Sequence, residues 1–189
     1  MSQSREIILN AAERCFFRHG YSAASIAMIS RYSEISRVTI HKQFSSKEEL
    51  FQTVVLQHQK RLQDRLPEYP AKYASVWDAI KALLNDWGLP IFEEISDSLV
   101  LHDLVQAAQR YCAKEMEAHR QVMAEFVAEC LKQSAEKGEI SFSRVGLTAE
   151  AIASSLILSI KGLFTSATQE ESCETLEQLI TIYRTALID

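Results

Sequence analysis

Glycine and proline are scarce in this chain, with five and three among 189 residues. Loops that cradle phosphate groups need several glycines close together, and no stretch of the sequence has them. The H-E-x-x-H and G-x-S-x-G patterns of hydrolases are also missing, as are runs of alternating apolar and polar residues that would indicate β-strands. These absences argue against an enzyme with a catalytic site and favour a helix-rich protein.

Cysteine occurs four times, without a C-x-x-C pair, at Cys15, Cys112, Cys130 and Cys173. This spacing is typical of buried thiols in a reducing compartment rather than of a disulfide framework or a zinc site. A redox switch is the less favoured alternative. The five histidines are scattered as well, so we expect neither a metal nor a cofactor.

Long apolar runs are absent too. The most apolar stretch, AIASSLILSIKGLF, is too short to cross a bilayer and contains Lys161. The first ten residues lack the organisation of a signal peptide. The sequence therefore predicts a cytoplasmic protein with no membrane partner.

Charge is unevenly distributed along the chain. Residues 1–50 carry seven Lys and Arg against five acids, whereas the remaining residues carry thirteen against twenty, within a net charge of −5. A positive head on an acidic body is typical of a protein that binds a polyanion at one end. Because the excess in the head is small, scattered surface charge remains an alternative explanation.

Apolar residues recur at helical spacing through the whole chain. Gly20 stands where the first helix is expected to end, and Ser46 with Glu49 forms a capping box for a longer helix that Pro67 and Pro70 end. The other helices are predicted near 5–18, 25–32, 36–44, 75–87, 98–111, 114–137, 148–168 and 173–187, with a short one around 90–96.

The segment ISRVTIHKQF contains β-branched residues but is predicted to be a helix. As a strand it would place Val38, Ile40 and Lys42 on one face, which separates apolar from polar residues poorly. As a helix it turns Ile40 inward with Phe44 and leaves Val38 outward beside His41 and Lys42. Short apolar groups and cations together suit the major groove of DNA, although an ordinary solvated face can have the same composition.

The segment ILNAAERCFFRHGYSAASIAMISRYSEISRVTIHKQFSSKEEL resembles the DNA-binding head of TetR/AcrR-family transcriptional regulators. The matching positions are Ala12, Phe16, Gly20, Tyr21, Ser25, Ile29, Ile35, Ser36, Thr39, Ile40, Phe44, Ser46 and Lys47. The resemblance implies an all-α fold with an N-terminal three-helix helix-turn-helix head and a C-terminal helical ligand-binding and dimerisation bundle. The head would span residues 1–46, with the helix-turn-helix at about 25–44, and the bundle residues 47–189, joined by the helix that starts near 47.

The same resemblance implies a ligand-responsive regulator, most often a repressor. It would bind a pseudo-palindromic operator in double-stranded DNA as a homodimer, and a small apolar or amphipathic effector would release it. A DNA-binding adaptor that acts through a protein partner is the alternative. The implied DNA contacts are Ser25, Ser36, Arg37, Val38, Thr39, His41, Lys42 and Lys47.

One departure from the family pattern concerns the turn between the two short helices, where Glu34 stands in place of the usual glycine. If the turn requires left-handed backbone, a residue with a side chain costs about 1–2 kcal/mol there.

In the bundle, two sets of residues are candidates for function, with packing in the protomer's own core as the alternative for each. The candidates for effector binding are Trp77, Trp87, Phe92, His102, Gln106, Tyr111 and Phe126. The candidates for the dimer interface lie on stripes of the last two helices and are Ile152, Leu156, Ile160, Leu163, Leu176, Ile180 and Tyr183.

Overall fold

A computed structural model describes residues 3–95, 97–166 and 169–188, without the side chains of residues 89–94, 161, 164–166 and 169. Over these ranges it contains ten α-helices and no strand, which confirms the all-α prediction. The helices are α1 (Gln3–Ala23), α2 (Ile26–Ser33), α3 (Arg37–Gln43), α4 (Lys47–Arg65), α5 (Glu68–Lys72), α6 (Val76–Glu94), α7 (Ser98–Tyr111), α8 (Ala113–Glu136), α9 (Ala149–Ser166) and α10 (Gln169–Leu187).

Two local predictions were wrong. The segment with two prolines was expected to be a connector, but it contains α5, because proline lacks only an amide that the first turn of a helix does not use. The short helix expected around 90–96 is instead the end of α6. Gly20 does interrupt α1, with φ 78 and ψ 169, yet the chain resumes helical geometry as far as Ala23.

The first of two compact units comprises residues 1–61 and 91–116 and therefore includes α1 to α3, most of α4, and α7. Its core holds Ile8 and Phe16 from α1, Ile40 from α3 and Phe44 just after it. Leu104 of α7 is buried in the same cluster. The core beneath the helix-turn-helix thus includes a helix that lies some sixty residues further along the chain.

The second unit comprises residues 62–90 and 117–189. Its core is a single apolar cluster to which α6, α8, α9 and α10 contribute residues such as Leu84, Leu131, Leu156 and Leu176. No helix in the described part of the chain is long and apolar enough to cross a membrane.

Cys15, Cys112 and Cys130 are buried, and Cys173 is half-buried. Burial raises the pKa of the Cys112 and Cys130 thiols to about 11. These two thiols therefore stay protonated near neutral pH, and they pack as small apolar groups.

Candidate nucleic-acid interface

Helices α2 and α3 of the helix-turn-helix each begin after a serine that caps them. Ser25 precedes α2 in an extended conformation, and its Oγ accepts a hydrogen bond from the Met28 amide at 3.3 Å. Ser36 precedes α3 in the same way and accepts from the Thr39 amide at 3.2 Å. Both serines satisfy amides that have no partner within the helix, and so fix where α2 and α3 start.

The inner face of α3 is anchored in the core of the first unit. Ile40 is fully buried and Phe44 is 1% exposed. On the opposite face Val38 is 67% exposed, and Arg37, His41 and Lys42 are exposed beside it. The prediction of a helix rather than a strand is confirmed, and the face that points outward is the one that the helical spacing predicted.

Two hydroxyls lie together at the start of this outer face. Ser36 Oγ and Thr39 Oγ1 are 2.9 Å apart, and either can be the donor in the hydrogen bond between them. Because one bond uses one hydroxyl hydrogen, the other hydroxyl can donate to a phosphate or to a base edge.

The C-terminal end of α3 is held by the start of α1. Arg5 Nη1 donates to the Gln43 carbonyl at 3.1 Å, and its guanidinium lies 4.2 Å from the centroid of the Phe44 ring. Gln43 Nε2 in turn donates to Ser4 Oγ at 2.8 Å. A cation is favourable at a helix C-terminus. Arg5 was not predicted as a functional residue, since nothing in the local pattern indicates a contact across 38 residues.

The turn between α2 and α3 does use left-handed backbone. Glu34 has φ 57 and ψ 19, the one non-glycine residue with positive φ within the described ranges. Two serine hydroxyls brace the turn: Ser30 Oγ donates to the Ile35 carbonyl at 2.6 Å, and Ser33 Oγ accepts from the Ile35 amide at 3.3 Å. The turn therefore requires the left-handed backbone that disfavours a side chain at Glu34, and hydrogen bonds between Ile35 and two serines stabilise it.

Glu34→Gly should raise the free energy of unfolding by about 0.5–1 kcal/mol, since relief of left-handed strain outweighs the added entropy of the unfolded chain. Urea denaturation of the wild type and the variant measures this difference. Glu34→Ala is the matched control, because it removes the same carboxylate but keeps a Cβ. A gain of the same size in Glu34→Ala would show that charge, not backbone strain, is the cause.

Lys47 lies against the end of α1. Its Nζ donates to the carbonyls of Tyr21 and Ala24 at 2.9 and 3.0 Å and lies 4.2 Å from the centroid of the Tyr21 ring. The ammonium thus satisfies carbonyls near the break in α1, whereas the family resemblance implies a contact with a DNA phosphate.

The residues expected to bind an effector are divided between the two units. His102, Gln106 and Tyr111 belong to the first unit, where the first two are exposed on α7 and Tyr111 packs on Tyr21 with ring centroids 5.1 Å apart. In the second unit, Trp77 is buried and Trp87 and Phe126 are half-buried. The side chain of Phe92 lies outside the described residues.

A polar pair in the second unit, the buried His119 and the half-buried Gln63, was not among the residues predicted from the sequence. His119 is 3% exposed, and its Nδ1 lies 2.9 Å from Gln63 Nε2. The Trp87 ring meets the imidazole edge-on, with centroids 5.5 Å apart. The apolar stripe of α8 contains this histidine four residues before Met123, which is the signal that could have identified it.

The stripes expected at the dimer interface face the interior of the protomer. Ile152, Leu156, Ile160, Leu176 and Ile180 are all buried in the core of the second unit, so they have almost no surface left to bury against another copy. The half-buried members of the two stripes are Leu163 and Tyr183. The opposite faces of these helices carry Leu158 of α9 and Ile182 of α10, which are 52% and 62% exposed.

Comparison with known proteins identifies the head. Residues 8–54 match the family described as bacterial regulatory proteins, tetR family. The chain is 28% identical to the HTH-type transcriptional regulator UidR of Escherichia coli (strain K12) over 140 residues. The aligned segment covers 73% of this chain and 69% of that protein. It is 24% identical to the HTH-type transcriptional repressor AcnR of Corynebacterium efficiens over 184 residues, and this alignment covers 97% of this chain and 92% of that protein. A TetR transcription regulator from Haloarcula marismortui has the same fold, with a TM-score of 0.82 at 19% identity over the full length of both chains.

Proposed function

We propose that this chain, whose residues 8–54 match the tetR family of bacterial regulatory proteins, is a homodimeric repressor that binds a pseudo-palindromic operator and is released by a small-molecule effector. The observation that carries this proposal is the orientation of α3. Its apolar face is fixed by Ile40 and Phe44, and a face with Arg37, Val38 and Lys42 is left for DNA.

On this proposal, the first residues of α3 read the bases. Arg37 can donate two hydrogen bonds to a guanine edge, and the methyl groups of Val38 and Thr39 can contact a thymine methyl. His41 and Lys42, further along the exposed face, would bind the phosphate backbone. Ser25 and Ser36 at the helix starts, and Lys47 where α4 starts, would add phosphate contacts to the capping and bracing roles described above.

The dimer would form through the outer faces of α9 and α10. Leu158 and Ile182 are large, apolar and exposed, and the face of α9 around Leu158 also carries the small exposed residues Ala151, Ser155 and Ser159. Small residues allow a second pair of helices to approach closely. Ser155 Oγ and Tyr183 OH, 2.9 Å apart, link the two helices across this face. A two-fold pair of heads is also what a palindromic operator requires.

For the effector we propose a site in the second unit near Trp87 and Phe126. Half-buried aromatic rings supply an apolar lining, and the Gln63–His119 pair supplies polar groups that can orient a ligand. This combination favours a small apolar or amphipathic molecule. Such an effector would weaken operator binding by the difference between its affinities for the two conformations of the dimer, typically about 1–3 kcal/mol.

Selection of bound sequences from random double-stranded DNA tests this proposal. We expect enrichment of one pseudo-palindrome, with half-sites separated by a spacing that two copies of α3 can reach. Enrichment of many unrelated sites, with no response to small molecules, would favour the adaptor. Failure to enrich any sequence would contradict operator binding altogether.

A further inference from the structure

The break in α1 at Gly20 starts a new helical turn whose first amides need acceptors. Gly20 has φ 78 and ψ 169, and residues 21–23 then return to helical geometry. Amides in the first turn of a helix have no carbonyl partner within that helix. This last turn leads within two residues to Ser25, the cap of α2. Whatever holds the turn therefore also fixes where the helix-turn-helix begins.

Asp103, in the middle of α7, supplies the acceptors. Its Oδ2 accepts a hydrogen bond from the Ser22 amide at 2.8 Å, and its Oδ1 accepts from the Ser22 hydroxyl. The two residues are 81 positions apart in the sequence. The carboxylate thus caps the last turn of α1 as an N-cap side chain would, but it comes from another helix.

Gly20 is what allows the carboxylate to come so close. A Cβ on Gly20 would lie 2.5 Å from Asp103 Oδ2, closer than real Cβ contacts come, and the positive φ disfavours a side chain in any case. Glycine is therefore required here for two reasons. The Asp103 carboxylate can take this position because residue 20 has no side chain.

Charged and aromatic groups of α4 and α7 surround this junction. Lys47 holds the carbonyls of Tyr21 and Ala24, and Tyr21 OH donates to Glu48 Oε1 at 2.9 Å. Burial alone would raise the pKa of Asp103, but the hydrogen bonds from Ser22 and the charge of Lys47 outweigh it and hold the pKa below its usual range. The carboxylate is therefore ionised, the form that accepts the strongest hydrogen bonds.

We propose that Asp103 is a positioning residue for operator binding: by capping the last turn of α1 from α7, it fixes the start of α2 and hence the placement of Ser25 and α3. This inference rests on the proposed operator function. It assigns a role in DNA binding to a residue that lies outside the helix-turn-helix and hydrogen-bonds to Ser22 of α1.

Asp103→Asn is the decisive variant, because it keeps the shape of the side chain but replaces one acceptor oxygen and removes the charge. We expect it to weaken binding to the selected operator by about tenfold. Asp97→Asn makes the same chemical change at the N-cap of the same helix, where Asp97 Oδ1 accepts from the Leu99 amide at 2.8 Å. Asparagine keeps the one acceptor oxygen that Asp97 uses, whereas it cannot replace both of the oxygens with which Asp103 accepts from Ser22, so the operator affinity of Asp97→Asn should stay within about twofold of the wild type.

Hydrogen–deuterium exchange on the DNA-free protein provides a second readout. In Asp103→Asn, amides of residues 21–33 should exchange faster than in the wild type, while amides of residues 120–135 in α8 should not change. Ser22→Ala added to Asp103→Asn should weaken DNA binding less than Ser22→Ala does alone, because both changes remove the same contact.

Three results would overturn the inference in distinguishable ways. Equal affinities of Asp103→Asn and Asp97→Asn would remove the role in DNA binding, even if exchange at residues 21–33 increases. Unchanged exchange would show that the cap does not hold this segment. If the wild type selects no DNA sequence, the operator proposal itself fails and the inference fails with it.

Discussion

Arg37→Ala should weaken operator binding by about 2–6 kcal/mol per dimer, because a guanine contact is worth about 1–3 kcal/mol and the two-fold pair makes it twice. Arg37 is the first residue of α3 and is exposed on the face opposite the buried Ile40. Its guanidinium extends from a helix whose start is fixed by the Ser36 cap. Little reorganisation should therefore be needed before it contacts a base.

Titration of the variant against the selected operator and against every single-base-pair substitution measures this effect. We expect the loss to disappear when the base pair that Arg37 contacts has been substituted at the equivalent position of both half-sites. Arg14→Ala, which removes an exposed cation from α1, is the control for long-range electrostatics and should weaken binding only slightly. Equal weakening at all sequences would make Arg37 a phosphate contact instead.

The second large effect is expected at the outer faces of α9 and α10. Leu158→Glu should convert the dimer to a monomer, because two-fold symmetry brings two new carboxylates into one apolar interface. A monomer contacts one half-site, so operator affinity should fall at least about 100-fold with the loss of the second contact. The fold of the protomer should be retained, since Leu158 is exposed and makes no part of the core.

Sedimentation velocity and operator titration test this prediction together. Leu147→Glu is the matched control, since Leu147 is also 52% exposed but precedes α9. It should leave both the dimer and the operator affinity unchanged. A Leu158→Glu protein that remains dimeric and binds DNA normally would show that the interface lies elsewhere.

Much of the helix-turn-helix could be predicted from the sequence because local rules determine it. Apolar residues at helical spacing and a capping box act within a few residues, so Ile40 and Phe44 have the roles that their spacing indicates, whereas the cap at Ser36 was not predicted. The question of left-handed backbone at Glu34 came from the family resemblance, in which a glycine usually stands at this position, and the structure shows that backbone there.

Features that depend on contacts between distant segments could not be predicted in this way. No sequence pattern pairs Asp103 with Ser22 or Arg5 with the end of α3. The stripes of α9 and α10 illustrate a related difficulty, because periodicity identifies an apolar face but not whether a protomer's own core or a second copy covers it. Here the core of the second unit covers Leu156 and Leu176, so the proposed interface falls on the opposite faces.

The central claim is that two copies of α3 read the two halves of one operator. Hydroxyl-radical footprinting of the selected duplex tests it most directly. The account predicts two protected patches, equivalent about a central dyad and on the same side of the duplex, both lost in Leu158→Glu. A single protected patch, or uniform protection along the whole duplex, would contradict it.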